Sequence, residues 1–397
     1  MDDFTRRAAA ASDRPELARL LAAHLRELAA PAWLEVWIRR GDGAFVPSGE
    51  PGVESAALDL DADAASSERL WSGAQWEGGD LAPLGRRLGL REAPAALVPI
   101  LDRHDHPVGL AALGPAGADA FDPEVRLRLV SAAAHAGIAF EVIRLAERLA
   151  ERMDFSRRID REMQIAREVQ SELFPKAPPV LENSELAAHC AQARTVGGDW
   201  YDFLELGARQ VGLVLADVSG KGVHAALRMA NLQAHLRSQA GSTPQDPLRA
   251  LRQVNRLLRE SSRPGQFATM FLGVWSDASR RLSYINCGHN PPLVLRAGGD
   301  VEWLEATATV LGVFEDWDCQ LGRTALAPGD VLLAYSDGVT EAEGDGDLFG
   351  TERLVEAVRT RRTDGPDAIV SDVLARVQAF EAGPATDDLT LLAMRVR

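Results

Sequence analysis

LVLADVSGKG, residues 213–222, is an apolar run that ends on a carboxylate and then turns through two glycines. Leu213 to Ala216 suit a strand buried on both faces, and Gly220 and Gly222 break it before a helical pattern over His224–Ala240. The design recurs. VLLAYSDG (331–338) carries a strand into Asp337 and Gly338, and VGGDWYDF (196–203) sets Asp199 directly after two glycines. TDDLTLLAM (386–394) opens a strand on the pair Asp387 and Asp388. Four strand termini thus present carboxylates, with small neighbours that let backbone and water come close.

Around these termini the residues from 180 onward read as strands at 186–190, 211–216, 268–275, 282–286, 293–296, 331–335 and 390–396. Helical patterns fall at 224–240, 247–261, 353–360 and 367–380. Strands bracketing paired helices predict sheets with helices packed outside, an α+β sandwich. No internal repeat is present.

Carboxylates gathered at strand ends suit Mg²⁺ or Mn²⁺, hard cations that take oxygen ligands and keep several waters. Two such ions can clamp a bridging water, lower its pKa and direct it in line at a phosphorus centre. No Ser–His–Asp or Cys–His pairing offers a covalent route. Each aspartate alone also has a plain structural reading: Asp337-Gly338 as a turn, Asp217 as the N-cap of the following helix. Four of them in apolar strand contexts weigh against that reading.

VGGDWYDF, LADVSGKGVHAAL, ATMFLGVW, NCGHNPPLVL, LLAYSDGVTEA and TDDLTLLAMRV stand in the order and spacing of the metal-dependent protein phosphatase (PPM) superfamily, and resemble its bacterial SpoIIE/RsbU-like branch. MQIAREVQSELFPKAPP (163–179) resembles the helix that leads into that branch's catalytic domain, so the likeness covers Met163–Arg397. It implies a PPM-type α-β-β-α sandwich holding two divalent cations, Mn²⁺ or Mg²⁺. Asp217 would bridge both ions, Val218 would offer its carbonyl, and Asp199, Asp337 and Asp387 would complete the sites. Asp388 stands where relatives outside the branch often have Asn and would help without ligating. Asp202 is open between a place behind the ligands and the surface. Arg194, five residues before Asp199, is open between substrate phosphate and a solvated position. The implied reaction is hydrolysis of phosphoserine or phosphothreonine on a protein, without a phosphoenzyme. The implied substrate is a phosphorylated STAS-domain anti-sigma-factor antagonist in bacterial partner switching. A non-enzymatic dimeric scaffold and a phosphatase of small phosphorylated molecules are the alternatives. His289, in Gly-His-Asn-Pro-Pro, reads as turn architecture, and His224 as packing or capping. Lys221 lacks the spacing of a phosphate-binding loop.

Upstream, residues 122–174 contain no Gly or Pro beyond Pro123 except Gly137. Steps of four and three from Ile138 pass through Val142, Leu145, Leu149, Ile159, Met163, Ala166 and Leu173, a coiled-coil seam for a homodimer. Arg152 and Ser156 interrupt the seam together and mark a candidate hinge; two separate amphipathic helices are the alternative. Residues 14–121 read as an α+β domain with a hairpin around Asp102–Pro107. ALVPILDRHDHPVGLAALG (96–114) resembles the late strand pair of a GAF domain, with the PAS fold as a related alternative. That implies a sensor with a small ligand or a dimerising role. With Cys190 the first cysteine, no bilin tether or iron–sulfur cluster fits there. His104 and His106 read as a surface turn, and Trp33, Trp37, Trp71 and Trp76 as core. Residues 1–13 are expected to be disordered.

Composition sets the outer bounds. Of 397 residues 46% are hydrophobic and 25% charged, the balance of a globular chain. Lys and Arg number 43 against 58 Asp and Glu, and the net charge of −15 opposes a nucleic-acid partner. No uninterrupted apolar run approaches 18 residues and the start lacks signal-peptide order, so a cytoplasmic protein without a membrane segment is expected. Three scattered cysteines exclude a disulfide framework.

Overall fold

The computed structural model describes residues 3–40, 43–48, 71–76, 81–117, 120–207, 210–243, 245–344, 346–383 and 385–397. They divide into two units, Met1–Arg157 and Arg158–Arg397. The polar stretch that follows Gly41 lies largely outside the described residues.

In the first unit, strands β1 (Leu34–Arg39), β2 (Phe45–Pro47), β3 (Gln75–Trp76), β4 (Ala96–Leu101) and β5 (Pro107–Leu113) form one antiparallel sheet in the order β2-β1-β5-β4-β3. Alternation along β1 sends Val36 and Ile38 to one face and Trp37 to the other. Helices α1 (Asp3–Ala9) and α2 (Arg14–Ala29) cover the first face through Phe4, Leu17, Leu21 and Leu25. Short α3 (Ala82–Arg87) packs on the other, where Trp37 is fully buried and Trp33 and Trp71 lie against it. Trp76 packs against the first face beside Phe121, so these tryptophans are core. The β4–β5 hairpin is capped by Asp102, whose carboxylate accepts the amides of His104 and His106 at 2.9 Å. The disorder expected for residues 1–13 is not found over 3–13; residues 1 and 2 lie outside the described residues. Asp3–Ala9 is helical because Phe4 and Ala8 have a core to enter, and Phe4 stacks on His24 at 4.5 Å.

Helix α4 runs unbroken from Pro123 to Ser171, 49 residues, or about 73 Å at helical rise. Arg152 and Ser156 lie within continuous helix, so their polarity interrupts an apolar stripe and not the backbone. Residues 122–174 are therefore no separate body: the helix up to Arg157 groups with the first unit, and the rest with the second. Leu129, Ala132, Ala133, Ala136 and Phe140 enter the first core. Gly137 permits this approach, since a Cβ there would collide with the Leu101 carbonyl oxygen. By length and composition α4 contains an 18-residue window suited to a membrane span, with 44% of the window buried inside the protein.

The second unit holds two antiparallel five-stranded sheets. One contains β7 (Trp200–Glu205), β8 (Gln210–Val218), β9 (Ala268–Ser276), β10 (Arg281–Cys287) and β13 (Gly322–Ala325), ordered β13-β10-β9-β8-β7. The other contains β6 (Ser184–Ala191), β11 (Leu293–Leu295), β12 (Val301–Trp303), β14 (Val331–Tyr335) and β17 (Leu389–Val396), ordered β12-β11-β14-β17-β6. Leu213, Leu215, Phe271, Leu332, Leu392 and Met394 fill the space between the sheets. Outside the first sheet lie α5 (Val223–Ser242) and α6 (Pro247–Ser261), contributing Met229, Leu232, Leu236, Leu251 and Val254. Following the short α7 (Asp337–Thr340) and the two-residue strands β15 (Glu343–Gly344) and β16 (Asp347–Leu348), α8 (Gly350–Arg361) and α9 (Pro366–Phe380) cover the second sheet. The result is the expected α-β-β-α sandwich. The strand in Trp200–Glu205 was not expected, because Asp202 sits within it.

Candidate active site

Each aspartate expected to ligate sits at the end of a structural element. Asp217 is the penultimate residue of β8, opposite Thr269 on β9. Asp199 immediately precedes β7, Asp337 opens α7 directly after β14, and Asp387 and Asp388 lead into β17. Helix α5 takes Gly222 as its N-cap, so Asp217 is not a cap.

Glycines let these ends meet. A Cβ on Gly198 would strike the Val218 carbonyl oxygen, one on Gly197 the Asp388 carboxylate, and one on Gly338 the Asp388 backbone. The 197–199, 217–218, 337–338 and 387–388 segments therefore converge at one end of the sandwich.

Crowding shows in the proton affinities. Burial pushes Asp217 up to about 7, with Asp337, Asp387 and Asp388 adding repulsion and Lys221 partly offsetting it. Burial, then the charge of Asp217, raises Asp199 well above the ordinary carboxylate range. Asp337 is raised by burial and by Asp387. Like charges in low dielectric disfavour ionisation, and a cation reverses that penalty.

Protein groups hold these carboxylates. Thr390 Oγ1 donates to Asp199 Oδ2 at 2.6 Å, and Cys190 Sγ lies 3.2 Å from the same hydroxyl. Lys221 Nζ donates to Asp387 Oδ2 at 2.8 Å and to the Thr386 carbonyl at 2.9 Å. Asp388 accepts the amides of Ala193 at 2.9 Å and Gly198 at 3.0 Å. It thus fastens the Asp199 loop. Among the described residues no three His, Cys, Asp or Glu groups close on a common point as they stand. The donor set still fits a hard divalent cation: four carboxylates and the Val218 carbonyl, all oxygen, at glycine-lined strand ends.

Two expected residues, Asp202 and Arg194, do not join the ligand cluster. Asp202 is neither surface nor part of the cluster: it is fully buried on β7, where Arg237 of α5 grips it with Nε at 2.7 Å and Nη2 at 2.9 Å. Gln233 donates to it at 3.3 Å, which pins helix to strand. Arg194 is exposed and makes no hydrogen bond or ion pair among the described residues, one position from the anchored Ala193. His289 is architectural: its amide donates to Asn286 Oδ1 at 2.8 Å, its Nδ1 lies 2.7 Å from Thr269 Oγ1, and burial lowers it to about 4. An imidazole neutral above that value is no general acid at neutral pH. His224 is exposed on α5.

Sequence reading missed Thr390, Lys221 and Gln170. Gln170, in the last turn of α4, is buried and donates Nε2 to the Gly197 carbonyl at 2.8 Å. Its Oε1 accepts from Gln192 at 2.9 Å and from the Gly197 amide at 3.3 Å. A lone Thr inside the apolar run LTLLAM was the available signal for Thr390.

Residues 207–397 match the family described as Stage II sporulation protein E (SpoIIE). The match takes in 191 of the 397 residues, just under half of the chain. Among curated relatives, IcfG of Synechocystis sp. is 29% identical over 59% of this chain and 41% of its own length. Phosphoserine phosphatase RsbU of Bacillus subtilis is 26% identical over 60% of this chain and 70% of its own. The chain therefore spans less than half of IcfG. The solved SiaA-PP2C domain of Pseudomonas aeruginosa aligns with a TM-score of 0.55 at 21% identity, covering 60% of this chain and 98% of that one. The unit Arg158–Arg397 thus has the PP2C fold.

Proposed function

We propose that this chain is a divalent-metal-dependent protein phosphatase acting on phosphoserine or phosphothreonine. The observation that carries the reading is the convergence of Asp199, Asp217, Asp337 and Asp387 at one end of the sandwich, three of them with proton affinity raised by burial and neighbouring carboxylates. Asp217 and the Val218 carbonyl would hold both ions, and the other three aspartates would complete the sites. Two bound Mn²⁺ or Mg²⁺ supply an activated water and neutralise charge on the phosphoryl oxygens. The chain's own part is to fix the ligands: Thr390 orients Asp199, Asp388 fastens its loop, and Lys221 balances Asp387. Arg194, exposed one residue from the anchored Ala193, would meet the substrate phosphate in this reading.

The substrate we propose is a phosphorylated STAS-domain protein, an anti-sigma-factor antagonist. The likeness to RsbU and RsbP of Bacillus subtilis, both described as phosphoserine phosphatases, supports it. Control would come from the first unit through α4, because Gln170 ties the end of that helix to the loop carrying Asp199. A second copy of the chain would cover the exposed stripe of Ile138, Val142, Leu145, Leu149 and Ile159.

One set of proteins tests these points. Phosphate release from a phosphoserine-bearing STAS domain should rise with Mn²⁺ and vanish in Asp217→Asn. Leu145→Glu with Leu149→Glu should halve the mass by light scattering and change the rate. Mn²⁺-independent turnover, or full activity in Asp217→Asn, would overturn the metal reading; unchanged mass would overturn the dimer.

A further inference from the structure

Within the first unit, arginines gather at one place in a chain whose net charge is −15. A cavity of about 270 Å³ is lined by the side chains of Arg14, Arg39, Arg40, Arg144 and Arg148. They arrive from separate places: Arg14 from the first turn of α2, Arg39 and Arg40 from the end of β1, and Arg144 and Arg148 from successive turns of α4. Ile38, Val108 and Phe140 supply an apolar wall.

Five guanidinium groups cannot shed their charge, since arginine stays protonated in proteins. Among the described residues no carboxylate lines the cavity. Among the described residues, carboxylates outside the cavity reach Arg14 and Arg144. Glu147 pairs with Arg14, and Asp102 lies 3.8 Å from Arg144 while also accepting the His104 and His106 amides. The Nε atoms of Arg14 and Arg144 are both buried without a hydrogen-bond partner. A buried donor left unsatisfied is costly, and a charged one more so. Convergent forks, two of them with an unused Nε, are the chemistry that reads phosphate and carboxylate oxygens two at a time.

We propose that this cavity is a binding site for a small polyanion bearing two or more phosphate or carboxylate groups. The arginines would take its oxygens and the apolar wall would lie along its carbon or bridging atoms. The volume admits a molecule the size of pyrophosphate or a tricarboxylate. The site lies wholly within the first unit, so it stands independently of the phosphatase reading.

The test is calorimetric titration of the full chain in chelator with pyrophosphate and, separately, with citrate, at ionic strength matched by NaCl. Saturable binding with 1:1 stoichiometry is expected for at least one probe, weakened tenfold or more by Arg144→Gln. Arg148→Gln is the second variant: Arg148 is exposed, so its loss leaves folding intact and should weaken binding severalfold. Binding of pyrophosphate alone assigns phosphate chemistry, and of citrate alone carboxylate chemistry. Heat no greater than that of matched NaCl for both probes, or binding unchanged in both variants, would overturn the proposal. Neither readout needs turnover, so failure here leaves the active-site reading untouched.

Discussion

Replacing Thr390 with Val removes one hydroxyl and keeps the side-chain shape. In the wild-type protein that hydroxyl donates to Asp199 Oδ2 at 2.6 Å, with Thr390 fully buried and Asp199 only 2% exposed. A hydrogen bond to a charged group is worth about 1.5–3 kcal/mol, and burial leaves water little access to replace it. Ser336 adds a further contribution to the Asp199 carboxylate, so the loss should fall in the lower part of that range. Removing the hydroxyl favours the protonated acid over the carboxylate that a cation needs. Apparent Mn²⁺ affinity should therefore fall about 10-fold, and up to about 100-fold, the usual cost of losing a group that orients a metal ligand. Calorimetric titration of Mn²⁺ into the wild type, Thr390→Val and Thr390→Ser at pH 7.5 measures it. Thr390→Ser keeps the donor and should bind within about threefold of wild type, and raising the pH should recover part of the Thr390→Val loss. Equal affinities for wild type and Thr390→Val would refute the reasoning. So would equal losses in both variants, which would place the effect in the methyl group and its packing.

Two further outcomes follow from the geometry. Asp217 is raised from 3.8 to about 7 in the folded chain, so the folded state binds the proton more tightly than the unfolded one. Its contribution to stability is complete below about pH 4 and is lost as pH rises through 7. In chelator, the calorimetric Tm should drop more between pH 5 and pH 8 in wild type than in Asp217→Asn; identical slopes would remove Asp217 from the account. Gly137→Ala ordinarily would stabilise a helix by roughly 0.5–1 kcal/mol. Here the added Cβ meets the Leu101 carbonyl, and the change should instead cost about 1–3 kcal/mol, read as a lower Tm of the first unit. A raised Tm would show that α4 does not press on β4 as described.

Most elements of the second unit are legible in single stretches of sequence. The helix expected over 247–261 matches Pro247–Ser261, and Asp246 caps it by accepting the Arg249 amide at 2.9 Å. The strands ending at Asp217 and leading to Asp337 were legible because both are buried on two faces and read as unbroken apolar runs. Trp200–Glu205 was not legible as a strand. Its period-two pattern contains Asp202, and a fully buried carboxylate makes sense only once Arg237, 35 residues away, is known to cover it. Residues 3–9 misled for the reverse reason: an Ala- and Arg-rich start looks featureless until Phe4 finds His24 and the α2 core.

The sequence by itself determined that carboxylates stand beside small residues at the ends of the apolar runs 213–216, 331–335 and 389–396, since strand periodicity and glycine are local properties of the chain. It also determined that residues 123–174 are helical in pattern, while their continuity as one helix, Pro123–Ser171, was settled by the structure. Only the tertiary structure decided which carboxylates face one another, because that depends on how two sheets stack. It alone separated Asp202, neutralised by an arginine, from Asp199, which meets Asp217 and a hydroxyl. It alone brought Gln170 to Gly197 and five arginines to one cavity. Those encounters join residues distant in the chain, and the free energy of such contacts depends on burial and distance, which no local stretch encodes.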